Sequence, residues 1–249
     1  MLTRRTISDA FGARLPAHDF IRAGWLGGSD ATGRADDLSD VDLGLIVLPG
    51  RIEDAAEAVE SVLASLSPIR LKIRLPMPTW HGFHQAFYQL ADAPEHLMVD
   101  WVFMEQGQPH PWFETDRHGT PIVLFDKDGD IKLARSDLPA LQSAAKKKIE
   151  DTRAKFAMFR HLPVKLAQRG LPADAAYFYH ALVLRPLVDV LRAVHCPQRH
   201  DYGFRYLKDD LPRELYEKVC RLCYPASEAA IESCMKEASQ LIDAACGRS

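Results

Sequence analysis

The chain has 249 residues, 47% of them hydrophobic and 26% charged, with a formal net charge of −3. This composition is ordinary for a soluble globular protein, and the length suits one large or two modest domains. No apolar run is long enough to span a bilayer, and the N-terminal segment lacks the apolar region of a secretory signal. The five cysteines, an odd number confined to the last quarter, favour reduced thiols. We therefore expect a cytoplasmic protein without a membrane partner.

The charge is divided unevenly along the chain. Residues 1–135 contain 13 Lys and Arg against 20 Asp and Glu, a balance of −7, whereas residues 136–249 contain 18 against 14, a balance of +4. The hydrophobic pattern changes at the same place, from short strand-like runs to long helical stripes. We expect a first domain over 1–135 and a helical domain over 136–249. An acidic first half favours a metal ion and a cationic ligand.

The first half has the pattern of an α/β (α+β) domain built on a small mixed sheet. Alternating or fully apolar runs predict strands, and amphipathic periodicity predicts helices. The predicted strands cover 21–26, 39–47, 69–75, 97–104 and 120–125, and the predicted helices cover 8–15, 52–66 and 80–91. His81 and His84 could share a face of the last helix, but two histidines without a third ligand are more typical of surface or satisfied core positions.

The second half predicts a C-terminal helical bundle. An apolar stripe from Leu141 to Leu166 predicts one long helix, which Pro163 kinks and Gly170 ends. Further helices are predicted at 173–194, 214–224 and 227–245.

Two features of the second half could suggest other sites. Cys220 and Cys223 have the spacing of half a zinc site, but they fall within one predicted helix, where a buried stripe of small residues is the simpler interpretation. The lysines at 146–148 could form a nucleic-acid patch, but they point to three sides of one helical turn and no aromatic residues alternate with them. Nucleic acid is therefore not an expected partner.

The most informative stretch of the sequence connects the first two predicted strands. The turn Gly27-Gly28-Ser29 follows the first strand, and its glycines let the backbone approach a ligand whose phosphate oxygens free N–H groups could hold. Asp40 and Asp42 lie in the second strand, where alternate residues share a face. Two carboxylates so close repel each other unless a cation lies between them. Oxygen ligands suit magnesium, which is commonly bound together with a substrate phosphate.

A phosphate-binding P-loop is the main competing interpretation, since Gly28 and Gly33 have the required spacing. The sequence continues with Arg34-Ala35 where a P-loop needs Lys followed by Ser or Thr, and an acidic strand follows in place of a helix. The P-loop interpretation therefore fails.

A third carboxylate lies in the strand predicted at 97–104, where Asp100 is surrounded by apolar residues. A strand that is apolar on both faces is central and covered on both sides, and burying an unpaired carboxylate there is costly. Asp100 could therefore bind metal or take a proton. The alternatives are a salt bridge to an Arg, or a shifted strand that places Asp100 at its end.

With Gly28-Ser29, ten intervening residues and Asp40-Val41-Asp42, the chain resembles the DNA polymerase beta-like nucleotidyltransferase superfamily. Within it, the chain is most similar to bacterial aminoglycoside and related small-molecule nucleotidyltransferases, which carry a helical domain after the catalytic one. The resemblance implies a catalytic domain over 1–135 and a substrate-binding domain over 136–249, with the site in the cleft between them. It also implies that Gly28 and Ser29 bind nucleotide, and that Asp40, Asp42 and Asp100 are metal-binding and catalytic.

The expected activity is metal-dependent transfer of a nucleoside monophosphate, AMP from ATP, to a hydroxyl of a small molecule such as an aminoglycoside-type antibiotic. Magnesium is the expected cofactor and a nucleoside triphosphate the expected co-substrate. Three alternatives stay open: transfer to a protein hydroxyl, a nucleic-acid polymerase, and a nucleotide-binding regulatory module without turnover. The nucleotide preference, the acceptor and the oligomeric state are not specified by the sequence.

Overall fold

A computed structural model describes residues 1–110 and 112–247. The chain divides into two compact units, Met1–Ser136 and the residues from Asp137 onward. The first unit is a mixed sheet with helices and the second is helical, which confirms the predicted α/β class. Among the described helices, none combines the length and the hydropathy needed to cross a membrane.

The first unit is organised around a six-stranded sheet with the order β3-β4-β5-β2-β1-β6. Strands β2 and β5 are parallel, and the other neighbouring pairs are antiparallel. The strands are β1 (Ile21–Leu26), β2 (Val41–Val47), β3 (Ile69–Arg74), β4 (His84–Leu90), β5 (Met98–Glu105) and β6 (Ile122–Asp126). The strand predicted at 97–104 is therefore central, as its apolar character indicated.

The described part of the first unit contains the α-helices α1 (Arg4–Arg14), α2 (Gly28–Ala31), α3 (Ile52–Leu66) and α4 (Thr115–His118). The main core contains buried residues of α1 and α3 together with the odd-numbered residues of β2 and β5, such as Leu43 and Trp101. Because alternate residues of a strand point to opposite faces, Asp42 and Asp100 lie on the other face. That face also carries a smaller apolar cluster around Trp25 and Met104.

The helix predicted at 80–91 is wrong, because this segment contains strand β4. Its buried residues are Ala86, Tyr88 and Leu90, which is the period of two of a strand with one covered face. The prediction of a shared helical face for two histidines is wrong for the same reason. His81 lies in the loop before β4, and His84 is the first residue of the strand.

The second unit contains the helices α5 (Leu138–Phe159), α6 (Leu162–Gln168), α7 (Pro172–Tyr179), α8 (Arg185–His195), α9 (Leu207–Asp210), α10 (Arg213–Leu222) and α11 (Ile231–Cys246). The long predicted helix breaks between Phe159 and Leu162, next to Pro163. The helix predicted at 173–194 is continuous but contains one π-helical turn, His180–Leu184. Cys220 is exposed, so the buried-stripe interpretation does not hold for it.

Candidate active site

The turn after β1 packs directly against the carboxylate of Asp42. The Gly27 N–H donates to the main-chain oxygen of Asp42 at 2.9 Å. Gly28 has a φ of +50°, and a Cβ atom placed there would overlap Oδ2 of Asp42. A side chain at this position would therefore be strained and would also displace the carboxylate. This contact explains why a glycine precedes Ser29.

Ser29 contributes a main-chain donor and an unused hydroxyl. Its main-chain N–H makes a hydrogen bond to Asp42 that lowers the pKa of that carboxyl group. Its Oγ is buried and has no hydrogen-bond partner within the described structure. A buried hydroxyl without a partner is unfavourable by about 1–3 kcal/mol. The hydroxyl therefore has a hydrogen bond to donate that no group of the described structure accepts.

Two of the predicted carboxylates are direct neighbours across the sheet. Asp42 of β2 and Asp100 of β5 are paired in the parallel register, so their side chains leave the same face of the sheet. Burial, followed by the charge of Asp40, raises the pKa of Asp42. Burial also raises the pKa of Asp100, to about 6, and the neighbouring Asp42 and Asp40 add to this effect. The surroundings of both carboxylates therefore contain too little positive charge to offset their burial and their mutual repulsion.

Asp40 immediately precedes β2, which begins at Val41. The predicted strand at 39–47 therefore included Asp40 by mistake. Oδ1 of Asp40 accepts a hydrogen bond from the Met98 N–H at 3.0 Å, which fixes it at the start of β5. The three predicted carboxylates are thus brought together around the parallel pair of strands, and their mutual repulsion contributes to the raised pKa values of two of them.

Arg4 is a component of the site that sequence reasoning missed. Its Nε donates to the main-chain oxygen of Asp40 at 3.1 Å, and its Nη2 forms an ion pair with Asp30 at 2.6 Å. The arginine therefore ties the turn of α2 to the segment that carries the first carboxylate. Helix α1 begins at Arg4 and not at the predicted position 8, and the N-cap residue Thr3 is the sequence signal that could have placed this start.

Gln85 is the second residue that was missed, because it lies on the strand misassigned as a helix. Its Nε2 donates to both oxygens of Asp100, at 2.9 Å each. In the described part of the chain, Asp100 has no ion pair with Arg, Lys or His, and it is the third residue of β5, not an end. The salt-bridge and strand-end interpretations of Asp100 are therefore wrong.

A magnesium ion fits this arrangement in one particular way. Among residues 1–110 and 112–247, no group of three or more His, Cys, Asp or Glu side chains is arranged so that it could hold a metal ion by itself. Magnesium is usually held by one or two carboxylates, several waters and the phosphates of a substrate, so a complete protein cage is not required. The raised pKa values of Asp42 and Asp100 indicate carboxylates that a cation would stabilise.

Two solved structures are similar to this chain at a distant level. A nucleotidyltransferase-like protein from Exiguobacterium sibiricum is 12% identical, with a TM-score of 0.35, over 97% of this chain and 74% of that chain. The STING-associated CdnE c-di-GMP synthase from Capnocytophaga granulosa is 11% identical, with a TM-score of 0.29, over 99% of this chain and 83% of that chain. No family model and no curated protein matches the chain. Similarity at this level does not transfer an activity, so function depends on the geometry of the site.

Proposed function

We propose that the protein is a metal-dependent nucleotidyltransferase of the DNA polymerase beta-like superfamily. It would transfer a nucleoside monophosphate, AMP from ATP, to a hydroxyl group of a small molecule. One observation carries this proposal. The turn at Gly28 and Ser29 is pressed against Asp42, which is paired in register with a second unneutralised carboxylate, Asp100. A turn of this kind next to a carboxylate pair would suit a triphosphate substrate and its magnesium ion, which supports the proposal.

The residues of the turn would hold the terminal phosphates. Ser29 offers a buried hydroxyl without a partner, and Gly28 lets the turn approach the Asp42 carboxylate closely, so that phosphates held by the turn would lie near that carboxylate. Asp40 and Asp42 would hold the magnesium ion, which when bound would offset the negative charge that develops around the α-phosphorus. Arg4 would keep the turn and Asp40 in a fixed relation, through its contacts to Asp30 and to the Asp40 main chain.

Asp100 would act as the general base. In the metal-free protein its pKa of about 6 leaves it ionised at neutral pH but more basic than an ordinary aspartate, which suits proton transfer near pH 7. The acceptor hydroxyl would give its proton to Asp100 as its oxygen forms a bond to the α-phosphorus. The bond from that phosphorus to the bridging oxygen would break, and pyrophosphate would leave.

Calorimetric titration with Mg·ATP tests the binding half of the proposal. We expect Asp40→Asn and Asp42→Asn to abolish metal-dependent binding of ATP. Asp37→Asn, a change of the same kind in the exposed loop before Asp40, serves as the matched control and should bind normally. Unchanged ATP affinity in both Asp40→Asn and Asp42→Asn would contradict the proposal.

The acceptor can be sought with ATP labelled in its α-phosphate. The resemblance and the acidic balance of residues 1–135 both favour a cationic hydroxyl compound, so a panel of aminoglycosides is the first choice. Labelling of a small acceptor would support the proposal. Labelling of a protein would favour the protein-modifying alternative, and Mg-dependent binding without any turnover would favour a regulatory module.

A further inference from the structure

Three groups in the first unit form a hydrogen-bonded chain that ends on Asp100. Gln85 donates from Nε2 to both carboxylate oxygens, at 2.9 Å each. On the other side of Gln85, its Oε1 lies 3.0 Å from Nε2 of His81. The main-chain N–H of Phe83 donates to Nδ1 of His81 at 3.1 Å. The chain thus runs from a main-chain amide, through an imidazole and a carboxamide, to the carboxylate.

The direction of every hydrogen bond in this chain is fixed from both ends. A main-chain N–H can only donate, so Nδ1 of His81 must be an acceptor and the ring proton must be on Nε2. An ionised carboxylate can only accept, so Gln85 must present its NH₂ group to Asp100 and its oxygen to His81. At the bond between His81 and Gln85, the first requirement makes Nε2 a donor and the second makes Oε1 the acceptor, so the two are consistent. Oγ1 of Thr79 also lies 3.3 Å from Nδ1 of His81, but its single proton is donated to the Phe83 oxygen at 2.6 Å, so this contact does not change the assignment.

The outer end of the chain is held by its surroundings. The loop closes through the Gly82 N–H, which donates to the Thr79 oxygen at 3.1 Å, and through Oγ1 of Thr79, which donates to the Phe83 oxygen at 2.6 Å. The His81 ring stacks on Phe83, with centroids 5.8 Å apart and planes 19° apart, and meets Trp112 edge-on at 5.6 Å. The imidazole therefore has little freedom to rotate.

We propose that His81 and Gln85 are positioning residues that orient Asp100 for the transfer reaction. This inference rests on the proposed function. The carboxamide holds both oxygens of Asp100 and leaves their remaining lone pairs for a metal ion or for the proton of the acceptor. His81 keeps the carboxamide from rotating, since a rotated Gln85 would turn its own oxygen towards the carboxylate.

Two substitutions and one matched control test this role. Gln85→Leu keeps the size of the side chain but removes both of its contacts, and His81→Phe keeps the stacked ring but removes its donor. Gln89→Leu changes the same residue type on the same strand, where the glutamine contacts Arg70 and the Glu95 main chain but not Asp100. The rate of pyrophosphate release from Mg·ATP gives kcat. The reaction is run with the acceptor that the labelling experiment identifies, or with water in place of an acceptor. Calorimetry with a non-hydrolysable ATP analogue gives the affinity.

We expect kcat to fall by roughly 10- to 100-fold in Gln85→Leu, the usual effect of losing a group that orients a ligand or base. His81→Phe should lose less, and His81→Gln should recover part of that loss because its amide can donate to Gln85. Affinity for the analogue, thermal stability and the Gln89→Leu variant should be unchanged. Full activity in Gln85→Leu would overturn the proposal, and so would a loss that only follows the folded fraction.

NMR of the His81 imidazole nitrogens tests the hydrogen-bonded chain directly, whether or not the protein turns over ATP. A proton on Nε2 of His81, together with a carboxyl carbon resonance of Asp100 that shifts in Gln85→Leu but not in Gln89→Leu, supports the inference. A proton on Nδ1 of His81 overturns it. If the wild-type protein binds Mg·ATP but releases no pyrophosphate with any acceptor, the catalytic function fails, while the positions of these protons still decide whether Asp100 is oriented as described.

Discussion

Both units of the chain contain charged side chains that are removed from solvent, completely for Arg192 and partly for Asp42 and Asp100, and the units differ in how that charge is balanced. In the helical unit, the Arg192 side chain is completely buried, and all of its nitrogens have partners. Its Nε donates to the Gly203 oxygen at 2.8 Å, its Nη2 donates to the Arg205 oxygen at 2.5 Å, and its Nη1 pairs with Asp210. Arg199 forms a second ion pair with Asp210 at 2.8 Å. This cluster is complete without any ligand.

The carboxylates of the first unit have no such balance. Within the described residues, Asp42 and Asp100 have no ion pair. Burial is the main cause of the raised pKa of each, and the charges of neighbouring carboxylates raise both values further. Ser29, next to them, carries a buried hydroxyl without a partner. A buried cluster in which every charge is paired stabilises one fold, whereas a half-buried cluster of unbalanced like charge is stabilised when a cation or a substrate binds. The complete balance around Arg192 is typical of a structural cluster, whereas the unbalanced carboxylates are the cluster for which we propose a binding role.

The largest expected effect is on catalysis, in Asp100→Asn. Loss of a positioned general base should lower the transfer rate by roughly 10² to 10⁴, which corresponds to about 3–5 kcal/mol. Binding of Mg·ATP should persist, because Asp40 and Asp42 remain. Single-turnover measurements with ATP labelled in the α-phosphate, combined with calorimetry, separate the two quantities. A parallel fall in binding and rate, partly rescued by high magnesium, would instead identify Asp100 as a metal ligand.

The next largest effect is on stability, in Arg192→Leu. Breaking a buried ion pair commonly lowers the free energy of unfolding by about 3–5 kcal/mol. Asp210 keeps its pair with Arg199 in this variant, but it loses its buried partner, and the Gly203 and Arg205 oxygens lose their donors. Arg213→Leu is the control, since its pair with Glu217 is exposed and within one helix, and we expect a loss of less than about 0.5 kcal/mol there. Urea denaturation measures both variants. Equal stability of the two variants would remove the distinction between the clusters.

A smaller effect should appear in the pH dependence of stability. The folded-state pKa of Asp100, about 6, is higher than the ordinary value of 3.8, so the folded protein binds more protons than the unfolded chain between these values. Wild-type stability should therefore decrease as the pH rises from about 4 to about 6, by at most about 3 kcal/mol for this group. Urea denaturation in metal-free buffer should show this decrease in the wild type and a flatter profile in Asp100→Asn. An identical slope in both proteins would contradict the burial of an unbalanced charge.

The sequence predicted the three carboxylates because each belongs to a local pattern. Asp40 and Asp42 follow a glycine turn, and Asp100 interrupts an apolar strand. Their partners follow no local pattern, since Gln85 reaches Asp100 from a neighbouring strand, and Arg4 contacts the main chain of a residue 36 positions away. Such contacts exist only once the sheet has formed.

The error at 80–91 has a similar physical cause. One face of strand β4 carries the half-buried residues Gln85 and Phe87, and the other carries the buried residues Ala86 and Tyr88. Because the half-buried face includes an aromatic residue, the sequence does not alternate clearly between polar and apolar residues. Partial exposure of the half-buried face made the pattern compatible with a helix of mixed character. Burial in the folded sheet, not intrinsic propensity, decides the structure of this segment.

The smallest expected effect has opposite signs for stability and for binding, and it concerns Ser29. In Ser29→Ala the buried hydroxyl without a partner is removed, so the free energy of unfolding should rise, by about 1 kcal/mol. The same change should weaken binding of Mg·ATP by about 0.5–1.5 kcal/mol, because one donor to the phosphates is lost. Ser39→Ala is the matched control, since the Ser39 hydroxyl accepts from the Asp36 N–H and donates to the Asp36 carboxylate. That variant should lose stability and keep its affinity. Denaturation of the two variants measures the change in the free energy of unfolding, and calorimetry measures the change in affinity for Mg·ATP. A loss of stability in Ser29→Ala without any change in affinity would indicate that the turn is only a structural element.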